Sequence, residues 1–257
     1  MEATKVSCST NAGIAILLLE PPVGKPPTID GKVLAGLEQA LVDLNADESL
    51  RVVIVRSTSE RYFCVGANLN VLKQINEETI VPWVTEGHRI FNLLEDLPVP
   101  VVARVDGYAM GGGLELALAC DLIFSSDTAK LAQSEAGLGF IPGWGGTRRL
   151  ANRIGVAKAK HCFYTGQIID APDALAMGLV DFSGNTTELE DAIDDFCTAV
   201  RATNKNALTQ FKSIVNEQHQ AARKANLEAE AFRSISCLQD ADAKQRLSDF
   251  LNKKGSK

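Results

Sequence analysis

Short apolar runs alternate with stretches of helical periodicity through the first two-thirds of the chain. Gly13–Leu19 predicts a strand, followed by a Pro- and Gly-rich loop over Pro21–Pro27. Val33, Leu37, Leu41 and Leu44 recur at helical spacing and predict a helix over Val33–Leu44. Arg51–Arg56 encloses a β-branched run and predicts a buried strand. The cycle then repeats: helix over Thr79–Leu97, strand over Val99–Val105, short helix over Leu114–Cys120, strand over Leu122–Ser126. Strands separated by helices need crossover connections, which implies an α/β architecture.

From Thr187 the pattern changes. Glu188–Ala202, Ala207–Arg223, Leu227–Leu238 and Asp242–Lys253 each predict an amphipathic helix, and no strand separates them. The expected division is therefore a core over 1–186 and a helical region over 187–257. An apolar stripe such as Phe211, Ile214 and Val215 has to pack on something. It either covers the chain's own core or forms a subunit interface, and the pattern fits both.

Charge and composition mainly exclude. A net charge of −6 argues against a duplex-binding surface, while leaving room for a local basic rim around a phosphorylated ligand. The polar Met1 end predicts no secretory leader, and apolar stretches such as Ala12–Leu19 are too short to span a bilayer. A cytoplasmic protein is the expectation. The six cysteines are scattered without a C-x-x-C pair and predict reduced thiols, mostly acting as buried small hydrophobes. His88, His161 and His219 never fall at i,i+3 or i,i+4, so no histidine-built metal site is expected.

Two strand-to-helix corners concentrate the chemistry. One is Tyr62-Phe63-Cys64-Val65-Gly66-Ala67-Asn68-Leu69; the other is Asp106-Gly107-Tyr108-Ala109-Met110-Gly111-Gly112-Gly113-Leu114-Glu115. Such corners leave backbone N–H groups unpaired, and glycine lets an outside atom approach them. A triple glycine entering a helix also puts the positive end of the helix dipole there, suited to a developing oxyanion. A phosphate loop or a close-packed turn is the alternative, although consecutive glycines do not make the G-x-G-x-x-G pattern. Glu115 follows three residues after Gly112 and projects near the same face. Glu135 lies in a second glycine-rich, apolar segment running to Gly143-Trp144-Gly145-Gly146. A carboxylate held there is expected to be partly desolvated and poised for proton transfer.

These segments, in this order, resemble the enoyl-CoA hydratase/isomerase (crotonase) family. The resemblance runs from Gly13 through the C-terminal helices and is densest over Pro98–Gly155. It implies an α/β fold, a crotonase-like ββα spiral core with a helical C-terminal oligomerisation region, assembled as a trimer or a pair of trimers. By the resemblance, the Ala67 and Gly112 N–H groups grip a thioester carbonyl, and Glu115 and Glu135 handle the water and the α-proton. Gly143 corresponds to a further backbone donor near that water, Arg61 to a basic position near the coenzyme A phosphates. The backbone at Val65 and Gly66 would meet the adenine and pantetheine portion. Coenzyme A then arrives as part of the acyl thioester, with no permanent cofactor and no metal.

Three positions depart from the family pattern. Asn68 stands where aspartate is usual, Pro26-Pro27-Thr28-Ile29 replaces an Asn-Ala beside the coenzyme, and Trp144 replaces a small residue. Trp144 either narrows the acyl pocket or packs elsewhere. The paired glutamates favour hydration of a 2-enoyl-CoA over the isomerase, decarboxylase and hydrolase reactions of the same fold. A non-catalytic acyl-CoA or RNA-binding protein fits less well with an acidic chain carrying an intact acid–base pair.

Overall fold

The computed structural model describes residues 3–218 and 220–255; Met1 and His219, considered above, lie outside the described residues. The chain opens with an antiparallel hairpin, β1 (Lys5–Asn11) and β2 (Ile14–Glu20), turned through Ala12 and Gly13, both at positive φ. β1 is not among the expected strands; it is an edge strand exposed along nearly its whole length. α1 (Gly31–Ala46) follows, capped by Asp30, whose side chain accepts the Lys32 and Val33 N–H groups.

A spiral then begins, each turn giving one strand to each of two sheets. β3 (Val52–Ser57) and β4 (Tyr62–Cys64) form the first turn, followed by α2 (Leu69–Gln74) and α3 (Ile80–Glu95). β5 (Val101–Val105) and β6 (Tyr108–Met110) lead into α4 (Gly112–Leu118). β7 (Leu122–Ser126) and β8 (Lys130–Ala132) are followed by a 3-10 turn (Glu135–Leu138), α5 (Gly146–Ile154) and α6 (Val156–Thr165). β9 (Ile169–Asp170), α7 (Ala171–Met177) and β10 (Phe182–Gly184) complete the spiral.

The larger sheet has the order β1-β2-β3-β5-β7-β10 and the smaller β4-β6-β8-β9. Within the spiral, β3, β5, β7 and β10 are parallel, as are β4, β6 and β8. The core lies between the sheets and the helices, with Leu17, Val53, Phe63, Ile90, Phe91, Val101 and Leu114 among its fully enclosed side chains. Both glycine-rich corners therefore stand side by side, because β4 and β6 are neighbours in one sheet.

The tail comprises α8 (Thr186–Ala202), α9 (Lys205–Glu217), α10 (Gln220–Gln239) and α11 (Ala241–Gly255). The continuous helix expected over Ala207–Arg223 is interrupted after Glu217, and Arg223 belongs to α10. Neither glycine nor proline marks the break. Arg223 is drawn inward to pair with Glu95 and Asp96, a reason that lies far away in sequence. α8 buries Leu189, Ile193 and Cys197 against Val52, Ile54 and Val102 on the outer face of the larger sheet. α10 packs on α3 through Ala231 and Leu238 against Ile80 and Val84. These helices cover their own chain's core. α9 adds Leu208 to that cover, but its other apolar face stays open: Phe211, Ile214 and Val215 are 71%, 58% and 40% exposed.

Candidate active site

The first corner is built by a single parallel bridge between Ile29 and Ala67. Ile29 donates to the Gly66 carbonyl at 2.8 Å and Asn68 donates to the Ile29 carbonyl at 2.8 Å. In that pairing the intervening Ala67 N–H must point to the opposite side. Gly66, at φ +85, makes the turn. At the second corner Gly111, at φ +53, donates to the Ala132 carbonyl, and Gly112 starts α4 with an N–H that has no intrahelical acceptor. Among the described residues neither the Ala67 nor the Gly112 N–H has an acceptor.

The triple glycine is explained by close approach. A Cβ on Gly113 would fall 2.0 Å from the Cys64 carbonyl oxygen, and one on Gly66 would fall 3.0 Å from the Gly112 nitrogen. Only glycines let the two corners touch. The contact sets two free N–H groups side by side, a polar notch in a wall of buried apolar residues.

Two carboxylates face this notch. Glu115, in the first turn of α4, is 2% exposed, and its Oε1 accepts the Trp144 N–H at 2.7 Å and the Gly146 N–H at 2.8 Å. Burial and the neighbouring Glu135 and Glu230 carboxylates push its carboxyl well up, while the two backbone donors pull it down. Glu135 begins the 3-10 turn; its Oε1 accepts from Gln133 Nε2 at 2.8 Å. Its Oε2 is shielded from solvent and has no partner among the described residues. Burial pushes this carboxyl up to about 7, against the Gln133 amide and a backbone donor. A Cβ on Gly111 would lie 3.1 Å from Glu135 Oε1, so this carboxylate sits directly over the glycine entrance.

The notch and both carboxylates line one cleft of about 850 Å3. Arg61, Val65, Gly66 and Gly143 line it too, so all the residues marked in the sequence meet there. Arg61 lies exposed at the rim, its guanidinium 5.2 Å from the centre of the Tyr62 ring; Gly143 lies on the carboxylate side. Leu72, Ile75, Ile80, Trp83 and Phe140 make another part of the wall apolar. Trp144 both packs and narrows the cleft. It is 3% exposed, meets Trp83 and Phe91 edge to face at 5.2 and 5.3 Å, and lines the cavity.

The other two departures form a pair. Asn68 caps α2 by accepting the Asn70 N–H, and its amide donates to Thr28 Oγ1 at 2.9 Å. Pro27 in turn accepts the Val65 N–H at 3.0 Å. The replaced segment therefore still runs along the first corner and holds it.

Trp144 also limits what the second corner tolerates. By helix propensity alone, valine at Gly112 should leave the fold near native. A Cβ there would fall 2.5 Å from Trp144 Cζ3, so a branched side chain forces the ring aside. Sequence reasoning also missed Glu230, which reaches the site from α10. Nothing in its local pattern distinguishes it from a solvated helical glutamate.

Two unpaired backbone N–H groups beside two buried carboxylates are chemically suited to moving a proton next to a developing oxyanion. Residues 9–257 match the enoyl-CoA hydratase/isomerase family. YngF of Bacillus subtilis, assigned to that family, is 32% identical over 244 residues, spanning 95% of this chain and 94% of its own. The crotonyl-CoA hydratase of Syntrophomonas wolfei is 30% identical over 94% of this chain and 92% of its own. The crystal structure of the Bacillus anthracis enoyl-CoA hydratase superposes with a TM-score of 0.79 at 30% identity, covering 97% and 96% of the two chains. The chain belongs to the enoyl-CoA hydratase/isomerase family and has its spiral fold; it is an acyl-CoA enzyme.

Proposed function

We propose that this enzyme adds water across the 2,3 double bond of a 2-enoyl-CoA. The observation that carries this reading is the pair of shielded carboxylates, Glu115 and Glu135, on the same cleft as the Ala67 and Gly112 N–H groups. Those two N–H groups hold the thioester oxygen as negative charge develops on it. Glu115, whose Oε1 is aimed by two backbone donors, takes a proton from the water as its oxygen bonds C3. The C2–C3 π electrons move to form the enolate. Glu135, whose carboxyl burial raises to about 7, gives its proton to C2 as the enolate collapses. Water has then been added; Glu115 holds the proton taken from the water and Glu135 has given its own to C2, so one proton moves from Glu115 back to Glu135, directly or through solvent, before the next turnover.

The apolar wall at Leu72, Ile75 and Trp83 suits the acyl chain, and exposed Arg61 suits the coenzyme A phosphates. An isomerase, decarboxylase or hydrolase of this fold needs the oxyanion hole but not both carboxylates. The test is a panel of 2-enoyl-CoA and 3-hydroxyacyl-CoA thioesters, followed by the conjugated enoyl absorbance. Loss of absorbance with enoyl substrates and its gain with hydroxyacyl ones is expected; product without either change points to the other chemistries.

The proposal extends to assembly and place. The exposed Phe211, Ile214 and Val215 face supports residues 187–257 as an oligomerisation region, and a trimer or hexamer is expected. Light scattering at micromolar concentration should return at least three times the 27.6 kDa chain mass, and a monomer mass would sink this. No described helix is long and apolar enough to cross a membrane, in keeping with a cytoplasmic enzyme.

A further inference from the structure

Four successive backbone N–H groups at the entrance to α5 are shared alternately between two buried glutamates. Trp144 and Gly146 donate to Glu115 Oε1 at 2.7 and 2.8 Å. Gly145 donates to Glu230 Oε2 at 2.8 Å and Thr147 to Glu230 Oε1 at 3.2 Å. Glu230 is 1% exposed, and the Thr147 hydroxyl and Asn226 amide also donate to it. The segment 144–147 is thus gripped from both sides. Displacing one carboxylate shifts the donors that hold the other. We propose that Glu230, supplied by the C-terminal helix α10, is a positioning residue for the Glu115 carboxylate, acting through the backbone of 144–147. The proposal rests on Glu115 being the base described above.

The groups packed around Glu230 make its charge effective at Glu115. From α3, His88 Nε2 approaches Glu230 Oε2 to 3.7 Å, but burial and Arg149 hold its pKa down to about 4, so it stays neutral across an assay range. From α5, Arg149 donates to the Trp144 carbonyl and to Glu95, and Arg148 also pairs with Glu95. From α4 and the 3-10 turn come Glu115 and Glu135 themselves. Burial raises the Glu230 carboxyl, and its four donors lower it. Its negative charge is one of the causes that raise Glu115.

Glu230→Gln tests this in the full-length enzyme. The expected result is kcat lowered roughly 10- to 100-fold with KM changed less than about 3-fold, since no substrate contact is lost. The acidic limb of the kcat/KM profile should move to lower pH, because a like charge beside Glu115 is gone. Glu230→Asp keeps the charge but draws it back from Gly145 and Thr147; kcat should fall while the limb stays in place. A side chain that only supports the fold would lower the melting temperature yet leave kcat per folded molecule and the limb unmoved. That outcome overturns the proposal. If Glu230→Gln fails to fold, native kcat in Glu230→Asp overturns it instead. Wild-type enzyme inactive toward every thioester would sink the hydratase reading alone. The Glu115 titration, followed by carboxyl carbon NMR, then decides: a lowered pKa in Glu230→Gln, or in Glu230→Asp an unmoved one with a changed Glu115 environment, upholds the inference, and spectra identical to wild type end it.

Discussion

Glutamine at Glu115 or at Glu135 is expected to lower turnover on the best enoyl-CoA by roughly 10²–10⁴-fold, the usual contribution of a placed acid or base. Affinity for the thioester should change little, because coenzyme A and the carbonyl are proposed to be held by other groups. Turnover and the dissociation constant of a saturated acyl-CoA, measured on the same preparations, check both halves. Near-native turnover in either variant removes the two-carboxylate mechanism; survival of Glu115→Gln alone points to an isomerase.

Stability should move the other way. The Glu135 carboxyl is raised from an ordinary 4.5 to about 7, so between those values the folded chain binds more protons than the unfolded one. Stability therefore falls as pH rises through that window, and the full penalty stands above it. Glutamine removes the penalty. Glu135→Gln should be more stable than wild type by on the order of 1–3 kcal/mol at pH 8, with the gain vanishing near pH 4. Thermal melts at both pH values give the sign directly. A gain of equal size at pH 4 would locate its cause in packing instead.

Gly112→Val is expected to reduce kcat/KM by a factor of order 10² or more and to destabilise the fold by roughly 1–3 kcal/mol. The kinetic loss follows from crowding the N–H that is proposed to meet the thioester oxygen. The stability loss follows from the 2.5 Å approach of an added Cβ to Trp144 Cζ3. The two effects separate in Gly112→Ala combined with Trp144→Leu, where the smaller leucine makes room for the Cβ. Melting temperature should partly recover, and activity should stay low if the methyl crowds the oxyanion. Full activity in a stable Gly112→Val protein would show that the carbonyl is not polarised at this turn.

Much of this site was legible in the chain. Alternating apolar runs and helical stripes predicted an α/β architecture, the family resemblance implied its spiral, and β7 fell on Leu122–Ser126 as the pattern placed it. Side-chain period encodes which face of an element is buried, and that is a local property. The glycine corners were legible too, since three consecutive glycines beside a glutamate leave a mark that packing constraints rarely produce. The smaller sheet was harder to read because β4, β6 and β8 have only three residues each, too short for a period to emerge.

What the sequence determined by itself, then, was the strand–helix alternation, the two corners and the carboxylates Glu115 and Glu135, each written in a short contiguous stretch. The tertiary structure decided what those groups meet. It put Gly66 against Gly112, turned Trp144 onto the second glycine corner, and brought Glu230 from 85 residues away to the Gly145 N–H. It also divided the tail, folding α10 onto α3 while leaving the Phe211 face of α9 open. Local pattern fixes how much of a side chain is hidden; the partner that hides it depends on how distant segments dock, and no period in the chain records that.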